Sequence, residues 1–135
     1  MKVNVTYSLI QIKGLVRLGE NKIAEVYFNN QWVPICGHWF WDNDVGVNLF
    51  CQQLGFETGE IKEKQLKLLS DGLTIGQCLQ GDTWLQCSQN DCNQLQVGGR
   101  CKNGGSCKKG QNAALSIDCF NQGLYYLIKL SIETP

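Results

Sequence analysis

The sequence predicts a small, disulfide-rich α+β domain, and three observations lead to this fold class. The 135-residue chain contains eight cysteines, the even number that a fully paired disulfide framework requires. Several segments alternate between apolar and polar residues, as half-buried strands do, and one segment has the apolar spacing of a helix. Charged residues make up 18% of the chain while Gly, Asn and Gln are plentiful, which favours long loops over long helices.

Alternating polarity predicts four strands in the first part of the chain. They cover residues 3–9, 15–18, 23–28 and 31–35. The third and fourth strands form a hairpin, because the Asn29-Asn30 pair between them tolerates positive φ in a two-residue turn. Pro34 lacks a backbone donor, so its part of the fourth strand should lie at an edge or a bulge.

A short helix is predicted after the hairpin. Its apolar face has the spacing i, i+3, i+4, i+7 and consists of Val47, Phe50, Cys51 and Leu54. Asp42, Asn43 and Asp44 are candidates for the N-cap, and Gly55 can end the helix in a left-handed conformation. Cys51 is therefore expected on the buried face, where a disulfide can join the helix to the sheet.

Fewer regular elements are predicted in the second half of the chain. Residues 60–69 carry mixed charge and are expected to add a helical turn or an exposed loop. Residues 72–110 are rich in Gly, Asn, Gln and Cys, which indicates a long irregular region held by disulfides. Alternation predicts a returning core strand at residues 114–119 and a closing strand at residues 124–132.

The charge and cysteine patterns exclude several function classes. Twelve basic and twelve acidic residues balance, so we expect binding neither to nucleic acid nor to an anionic membrane. No apolar run approaches the length of a membrane span. The chain has no Cys-x-x-Cys pair and a single histidine, His38, so we predict no metal site and no cofactor. Oxidised cysteines indicate an extracellular or secretory compartment, where the Asn4-Val-Thr6 sequon is a candidate glycosylation site.

We predict no catalytic residues. Cysteine catalysis needs an unpaired thiolate, and an even disulfide framework leaves none. His38 has no recognisable serine or carboxylate partner near it in the sequence. We therefore interpret His38 as a structural residue or as part of a contact surface.

Five motifs between residues 15 and 120 occur in an order typical of one domain family. They are Val16-Arg17-Leu18, Ala24-Glu25-Val26-Tyr27, Gln31-Trp32 before Cys36, the helix end Cys51-Gln52-Gln53-Leu54-Gly55, and the closing segment 114–119. Cys78 and Cys87 flank Trp84-Leu85, as a cysteine pair does in that family. Residues 15–120 thus resemble a scavenger receptor cysteine-rich domain, with residues 1–14 and 121–135 as flanking strands. These flanking strands are expected to pair with each other or to offer edges to neighbouring chains.

The resemblance implies a fold, a disulfide pairing and the burial of two aromatic residues. The family fold is a curved antiparallel sheet that cradles one helix. Phe56 stands where one group of the family has an extra cysteine, so the chain resembles the group with six core cysteines. The implied pairs are Cys36–Cys107, Cys51–Cys119 and Cys78–Cys87, which leaves Cys92 and Cys101 to pair locally. Trp32 and Trp41 match family positions that imply core residues.

The resemblance also implies a difference at the cation site of the family. Many members have an acidic pair after the hairpin cysteine and a Glu before the closing strand, which together bind a calcium-type cation. Here Gly37-His38 follow Cys36, and residues 108–114 contain no acid. A hard cation needs several oxygen ligands, so we predict that this site is absent. Asp42 and Asp44 are interpreted as helix caps.

Two groups of residues are candidates for partner binding. They are His38, Trp39 and Phe40 after the hairpin, and Arg100, Lys102, Lys108 and Lys109 in the cysteine-rich region. Exposed aromatics act as hot spots, although Trp39 and Phe40 could equally be buried against the disulfide loops. The basic group suits a polyanion or an acidic partner, although a solvated loop is the simpler interpretation at balanced charge.

Segment 101–107 also resembles a piece of an epidermal-growth-factor-like module. That module needs further closely spaced cysteines, and Cys119 is the sole cysteine that follows. We interpret the segment as a Gly-rich disulfide loop.

The predicted function is a non-catalytic extracellular module of a larger protein or complex, which binds protein or, alternatively, glycan. One alternative is an accessory recognition domain of a secreted or membrane-bound enzyme, which catalytic motifs elsewhere in a longer protein would favour. Another alternative is a small secreted effector or inhibitor, which a native chain of this length would favour.

Overall fold

The computed structural model describes residues 15–89, 97–98, 107–121 and 123. These residues form a small, disulfide-rich α+β structure. Its elements are β1 (Val16–Leu18), β2 (Ala24–Phe28), β3 (Gln31–Cys36), α1 (Val45–Gln53), β4 (Thr58–Lys67), β5 (Leu73–Thr74), α2 (Trp84–Gln89) and β6 (Asn112–Phe120). Short 3-10 turns lie at Glu20–Lys22 and Phe40–Asp42. The predicted strands at 3–9 and 124–132 and the sequon at Asn4 lie outside the described residues.

The described strands form two sheets. One sheet has the order β1-β2-β3-β5, and the other pairs β4 with β6. The β1–β2, β2–β3 and β4–β6 pairs are antiparallel, but β5 runs parallel to β3, so the sheet is mixed where the resemblance implies an antiparallel one. The physical reason is the connection, because α1 and β4 intervene between β3 and β5 and let the chain return in the same direction.

The predicted hairpin is confirmed. Asn29 and Asn30 have φ values of 50° and 64°, and Phe28 pairs with Gln31 across the turn. Both positive φ values fit the two-residue turn that matches the twist of the flanking strands. Pro34 pairs opposite Glu25, and β5 pairs with β3 only at Ile35 and Cys36. Pro34 therefore lies just outside the pairing of β3 with β5. This position suits a residue that has no backbone N–H group to donate to a neighbouring strand.

The predicted helix is confirmed as α1, but its cap differs in detail. Val47, Phe50 and Cys51 are fully buried, and Gly55 has a φ of 91°. The N-cap residue Asp44 makes no side-chain cap hydrogen bond. Instead, the Asn43 Oδ1 atom accepts a hydrogen bond of 2.9 Å from the Val45 N–H group. The Val45 N–H group in the first turn is therefore capped by the neutral amide of Asn43, and neither Asp42 nor Asp44 accepts a hydrogen bond from it.

The expectation of a helical turn or loop at residues 60–69 is wrong for residues 60–67, which belong to β4. The strand pairs with β6 along its whole length, from Thr58 to Lys67. Register shifts occur after Ile61, Glu63 and Leu66, and Gln65 has a φ of 58°. These irregularities interrupt the alternation of apolar and polar residues, which is the signal that would have indicated a strand.

Two hydrophobic cores lie on opposite faces of β3, because successive side chains of a strand point to opposite sides. Val33 and Ile35 belong to the main core, whereas Cys36 belongs to the second core. The main core also receives α1, Trp84 of α2, and Leu115 and Ile117 of β6. The second core consists of Cys36, Leu68, Cys107, Ala113 and Ala114, with Ile23 and Leu66 packed against it.

Three disulfides connect these elements, and they are the three pairs that the resemblance implies. Cys36–Cys107 lies in the second core, Cys51–Cys119 joins α1 to β6, and Cys78–Cys87 ties α2 to the segment before it. The first two close separations of 71 and 68 residues. In the chain-entropy model each such bridge stabilises the fold by about 4 kcal/mol. Cys92 and Cys101 lie outside the described residues.

Candidate functional site

The face of β1–β3 that points away from the main core carries a cluster of charged and aromatic side chains. On this face Arg17 pairs opposite Glu25, and Tyr27 pairs opposite Trp32. The residues between them in each strand, such as Val16, Ala24, Val26 and Val33, are buried in the main core. We refer to Arg17, Glu25, Tyr27 and Trp32 as the outer-face cluster.

Two contacts hold the Arg17 guanidinium in the outer-face cluster. Its Nε atom donates a hydrogen bond of 2.6 Å to Glu25 Oε1, and its central carbon lies 4.3 Å from the centroid of the Trp32 ring. The Tyr27 ring packs against Trp32 edge to face, with the centroids 5.3 Å apart. The Arg17 side chain nevertheless remains 46% exposed. The cluster therefore presents a preoriented cation beside half-buried aromatic rings, which are the residue types that dominate protein-binding hot spots.

A groove of about 690 Å³ begins where the outer-face cluster meets the second core. Its walls are the turn at residues 20–23 and the β4 segment with its extension to Ser70. Its apolar lining consists of Ile23, Pro34, Leu66, Leu68, Leu69 and Ala114. Its charged lining consists of Glu20, Lys22, Glu25, Lys62, Glu63 and Lys67. A cavity of this size, lined by apolar and charged residues in similar number, can accommodate a ligand.

Residues with positive φ lie on both walls of the groove. Asn21 and Lys22 have φ values of 57° and 61° on one wall, and Gln65 has a φ of 58° beside Leu66 on the other. Such a conformation costs a residue other than glycine on the order of 1 kcal/mol. The Lys22 turn is held by an ion pair of 2.6 Å between its Nζ atom and Asp118 Oδ1, and by the hydrogen bond from Gly19 N–H to the Ile23 carbonyl.

The predicted aromatic group divides between core and surface. Phe40 is fully buried and packs edge to face on Trp84, so of the two alternatives for this ring the partner-binding surface is wrong and burial is correct. The 3-10 turn at Phe40–Asp42 directs this ring into the main core ahead of α1. His38 and Trp39 are half-buried, and the His38 ring lies edge to face on Trp41. Trp39 has a φ of 70°, and its buried Nε1 atom bonds to no described residue.

The implied core positions of the two other tryptophans also have different outcomes. Trp41 packs against the main core, and a Cβ atom at Gly37 would overlap its ring. Trp32 instead lies in the outer-face cluster, which corrects its interpretation as a core residue. The reason is strand parity, because the buried Val33 next to Trp32 occupies the core side of β3.

Two of the four residues in the predicted basic group lie in the described part of the chain. Lys108 and Lys109 are exposed in the turn before β6. Gln111 Oε1 accepts a hydrogen bond from the Lys108 backbone N–H, and Asp71 Oδ1 accepts one from that of Lys109. Arg100 and Lys102 lie outside the described residues, so a basic surface that contains all four remains a prediction.

Sequence reasoning missed the outer-face cluster and the groove. The cluster could have been found from the hairpin alone, since the Asn29-Asn30 turn sets the register that pairs Tyr27 with Trp32. Arg17 and Glu25 then follow on the same face as an opposite-charge pair. The groove has no comparable local signal, because its two walls are distant in sequence and one of them was predicted as a helical turn or loop.

The described residues contain neither a metal-binding cluster nor a helix suited to cross a membrane. No group of three or more His, Cys, Asp or Glu residues could hold a metal ion there. None of the helices in the described ranges has the length and hydropathy that a membrane span needs.

Comparison of the chain with protein-family models, with curated proteins and with solved structures found no match. The functional assignment therefore depends on the sequence and on the geometry of the outer-face cluster and the groove.

Proposed function

We propose that this chain is a non-catalytic, extracellular protein-binding module of the scavenger receptor cysteine-rich type. It acts as part of a larger protein or complex and binds its partner without a calcium ion. The single observation that carries this proposal is the outer-face cluster, in which Glu25 and Trp32 hold the exposed Arg17 guanidinium in place.

The residue types and their preorganisation support protein binding. Arg, Trp and Tyr are enriched among the residues whose truncation most weakens interfaces. Because the Arg17 side chain is already held by a hydrogen bond and a ring contact, binding orders it at a reduced entropic cost. A carboxylate of the partner can bond to the terminal nitrogens of the guanidinium, a planar group suited to bidentate contact.

The disulfide framework supports both the family and the compartment. The three described pairs match the pairing that the family resemblance implies, and the hairpin, α1 and β6 occur in the expected order. Under this proposal the β1–β2–β3 sheet curves around α1, as the family fold does. Several disulfides in a chain of this length are typical of proteins that work outside the cytosol.

The segment after Cys36 supports a partner contact that needs no calcium. Gly37 and His38 follow Cys36, where many family members have two acids. The Gly37 N–H group donates a hydrogen bond of 2.7 Å to the Ala113 carbonyl, which ties this segment to β6. Neither side chain supplies the carboxylate oxygens on which a hard cation depends.

The test is an affinity purification from the extracellular material of the source, with the oxidised chain as bait. Three baits are compared: the wild type, the double variant Arg17→Ala/Trp32→Ala, and the matched control Lys64→Ala at an exposed position of β4. We expect a stoichiometric protein partner with the wild type and the control, with and without EDTA, and its loss with the double variant. Equal recovery by all three baits, or loss of the partner in EDTA, would contradict the proposal.

A further inference from the structure

We infer that the groove between residues 20–23 and β4 binds an extended peptide segment of a partner protein. In this segment an apolar side chain lies between a basic and an acidic residue. The inference deepens the proposed protein-binding role and rests on it, but it concerns a different surface from the Arg17–Trp32 contact.

The floor of the groove requires an apolar anchor. Ile23 and Leu66 are half-buried there, and Leu69 at the rim is 77% exposed. Beneath them Leu68 and Ala114 are buried in the second core. An aliphatic side chain that covers this surface removes apolar area from water on both partners, which is favourable by about 25 cal/mol for each Å².

The wall formed by the turn at residues 20–23 contains one acidic residue, Glu20, that forms no ion pair with a described residue. Lys22 is paired with Asp118, and Glu25 is paired with Arg17. Glu20 is the remaining charge of this wall, and it forms no ion pair with a described residue. This wall therefore favours a basic side chain of the ligand.

The β4 wall has the opposite preference. Lys62, Glu63 and Lys67 line it, all three are exposed, and none forms an ion pair with a described residue. Two lysines and one glutamate make this wall net positive, so it favours an acidic side chain of the ligand. Walls of opposite preference on either side of an apolar floor are complementary to a peptide that carries both charges around one anchor.

The shape of the groove favours a peptide over a compact small molecule. The groove is partly open to solvent, since its lining includes the exposed residues Glu20, Lys62 and Leu69. A short extended peptide spans about 3.3 Å for each residue and places successive side chains on opposite sides, so it can present an apolar residue between two charged ones along an open groove.

The experiment uses two blocked peptides with flexible Gly-Ser flanks, one with the central sequence Lys-Leu-Glu and one with Glu-Leu-Lys. Both orders are used because the groove does not set the chain direction. Binding is measured by ¹⁵N NMR titration of the full, oxidised chain at low ionic strength. We expect saturable binding of at least one peptide, with shifts at the amides of Ile23 and Leu66. A peptide with Ser in place of Leu should bind at least tenfold more weakly.

Matched variants of β4 locate the site. The double variant Lys62→Glu/Lys67→Glu should weaken binding about tenfold, since it replaces two weak attractions by repulsions. Lys64→Glu changes the same charge on the same strand outside the groove lining, and it should leave the affinity within about twofold. A peptide whose acidic residue is changed to Lys should recover affinity for the double variant.

Two results would overturn the inference. They are the absence of saturable binding by either peptide, and binding that the Lys62→Glu/Lys67→Glu variant leaves unchanged. Neither result would affect the proposed function, because recovery of a partner that depends on Arg17 and Trp32 is measured separately. Conversely, the Trp32→Ala variant should retain the peptide affinity, since Trp32 does not line the groove and the Arg17–Glu25 ion pair remains.

Discussion

The main core and the second core share β3 but are built in different ways. In the main core, Phe40 and Phe50 pack edge to face on Trp84, with ring centroids 6.1 and 5.7 Å from it. The second core contains no aromatic ring among its described members and combines Leu68, two alanines and the Cys36–Cys107 disulfide. Large rings fill the main core, which also contains two disulfides, whereas the second core has one disulfide and no described ring and leaves the groove open beside it. A small, cross-linked core can thus support a concave surface without filling it.

Removal of one long-range disulfide at a time tests the comparison of the two cores and should have the largest effect on stability. Cys36→Ala/Cys107→Ala and Cys51→Ala/Cys119→Ala open loops of nearly equal separation, 71 and 68 residues. Each double variant should therefore lower the free energy of unfolding by about 4 kcal/mol, as measured by urea denaturation.

The two disulfide variants should differ in peptide binding. Cys36→Ala/Cys107→Ala removes the covalent support of the second core. At temperatures where both variants are folded, it should lose affinity for the Lys-Leu-Glu or Glu-Leu-Lys peptide. The second should keep that affinity, because it links α1 to β6 at the main core. Equal affinities for the two variants would show that the second core does not support the groove.

Large-to-small substitutions test whether the two cores differ in how tightly they are packed. Phe50→Ala leaves a cavity among rings that cannot move together easily, and it should cost about 4 kcal/mol of stability. Leu68→Ala lies beside the open groove, where neighbouring side chains can relax, and it should cost about 2 kcal/mol. Urea denaturation of both variants checks the order, and a larger loss for Leu68→Ala would contradict it.

Truncation of Arg17 should separate stability from function. Its ion pair with Glu25 is solvent-exposed on the arginine side, so Arg17→Ala should lower the free energy of unfolding by less than about 1 kcal/mol. Recovery of the partner protein should nevertheless fall strongly. Arg17→Lys is the matched variant, and it should restore part of the binding at most, because an ammonium group cannot reproduce the planar contact with the Trp32 ring.

The smallest effect is expected at Ser116 in β6. This serine is 1% exposed, and its Oγ atom has no hydrogen-bond partner among the described residues. Ser116→Ala removes a desolvated polar group without a large change of volume, so it should leave stability unchanged or raise it by up to about 1 kcal/mol. A loss of more than about 1 kcal/mol on urea denaturation would mean that the hydroxyl has a partner, such as a buried water.

Local sequence signals predicted the regular elements near the hairpin and failed at β4. The Asn29-Asn30 turn and the apolar spacing of α1 act over a few residues, so they can be read without knowledge of the rest of the chain. β4 has two apolar side chains, Ile61 and Leu66, in an irregular register, and its hydrogen bonds depend on a partner strand more than forty residues later. The parallel β3–β5 pair is likewise set by long-range packing.

The candidate site likewise has one part that local sequence signals could predict and one part that depends on long-range packing. The outer-face cluster depends on strand parity and on a turn type that the sequence contains, so it could have been inferred once the hairpin register was accepted. The groove could not, because it requires the positive-φ turn at Lys22, the bulged β4 and the second core to meet in space. Phe40 is a further example, because the sequence left both exposure and burial open for this aromatic residue and the 3-10 turn buries it.

The sequence by itself determined the fold class, the hairpin, α1 and the return strand β6, because each depends on side-chain periodicity or on backbone preferences of single residues. Only the tertiary structure decided which core lies on each side of β3, how β4 pairs, and where a concave surface remains. The physical reason is that burial and cavity volume are properties of side chains distant in sequence, whose contacts form when the two cores pack on opposite faces of one strand.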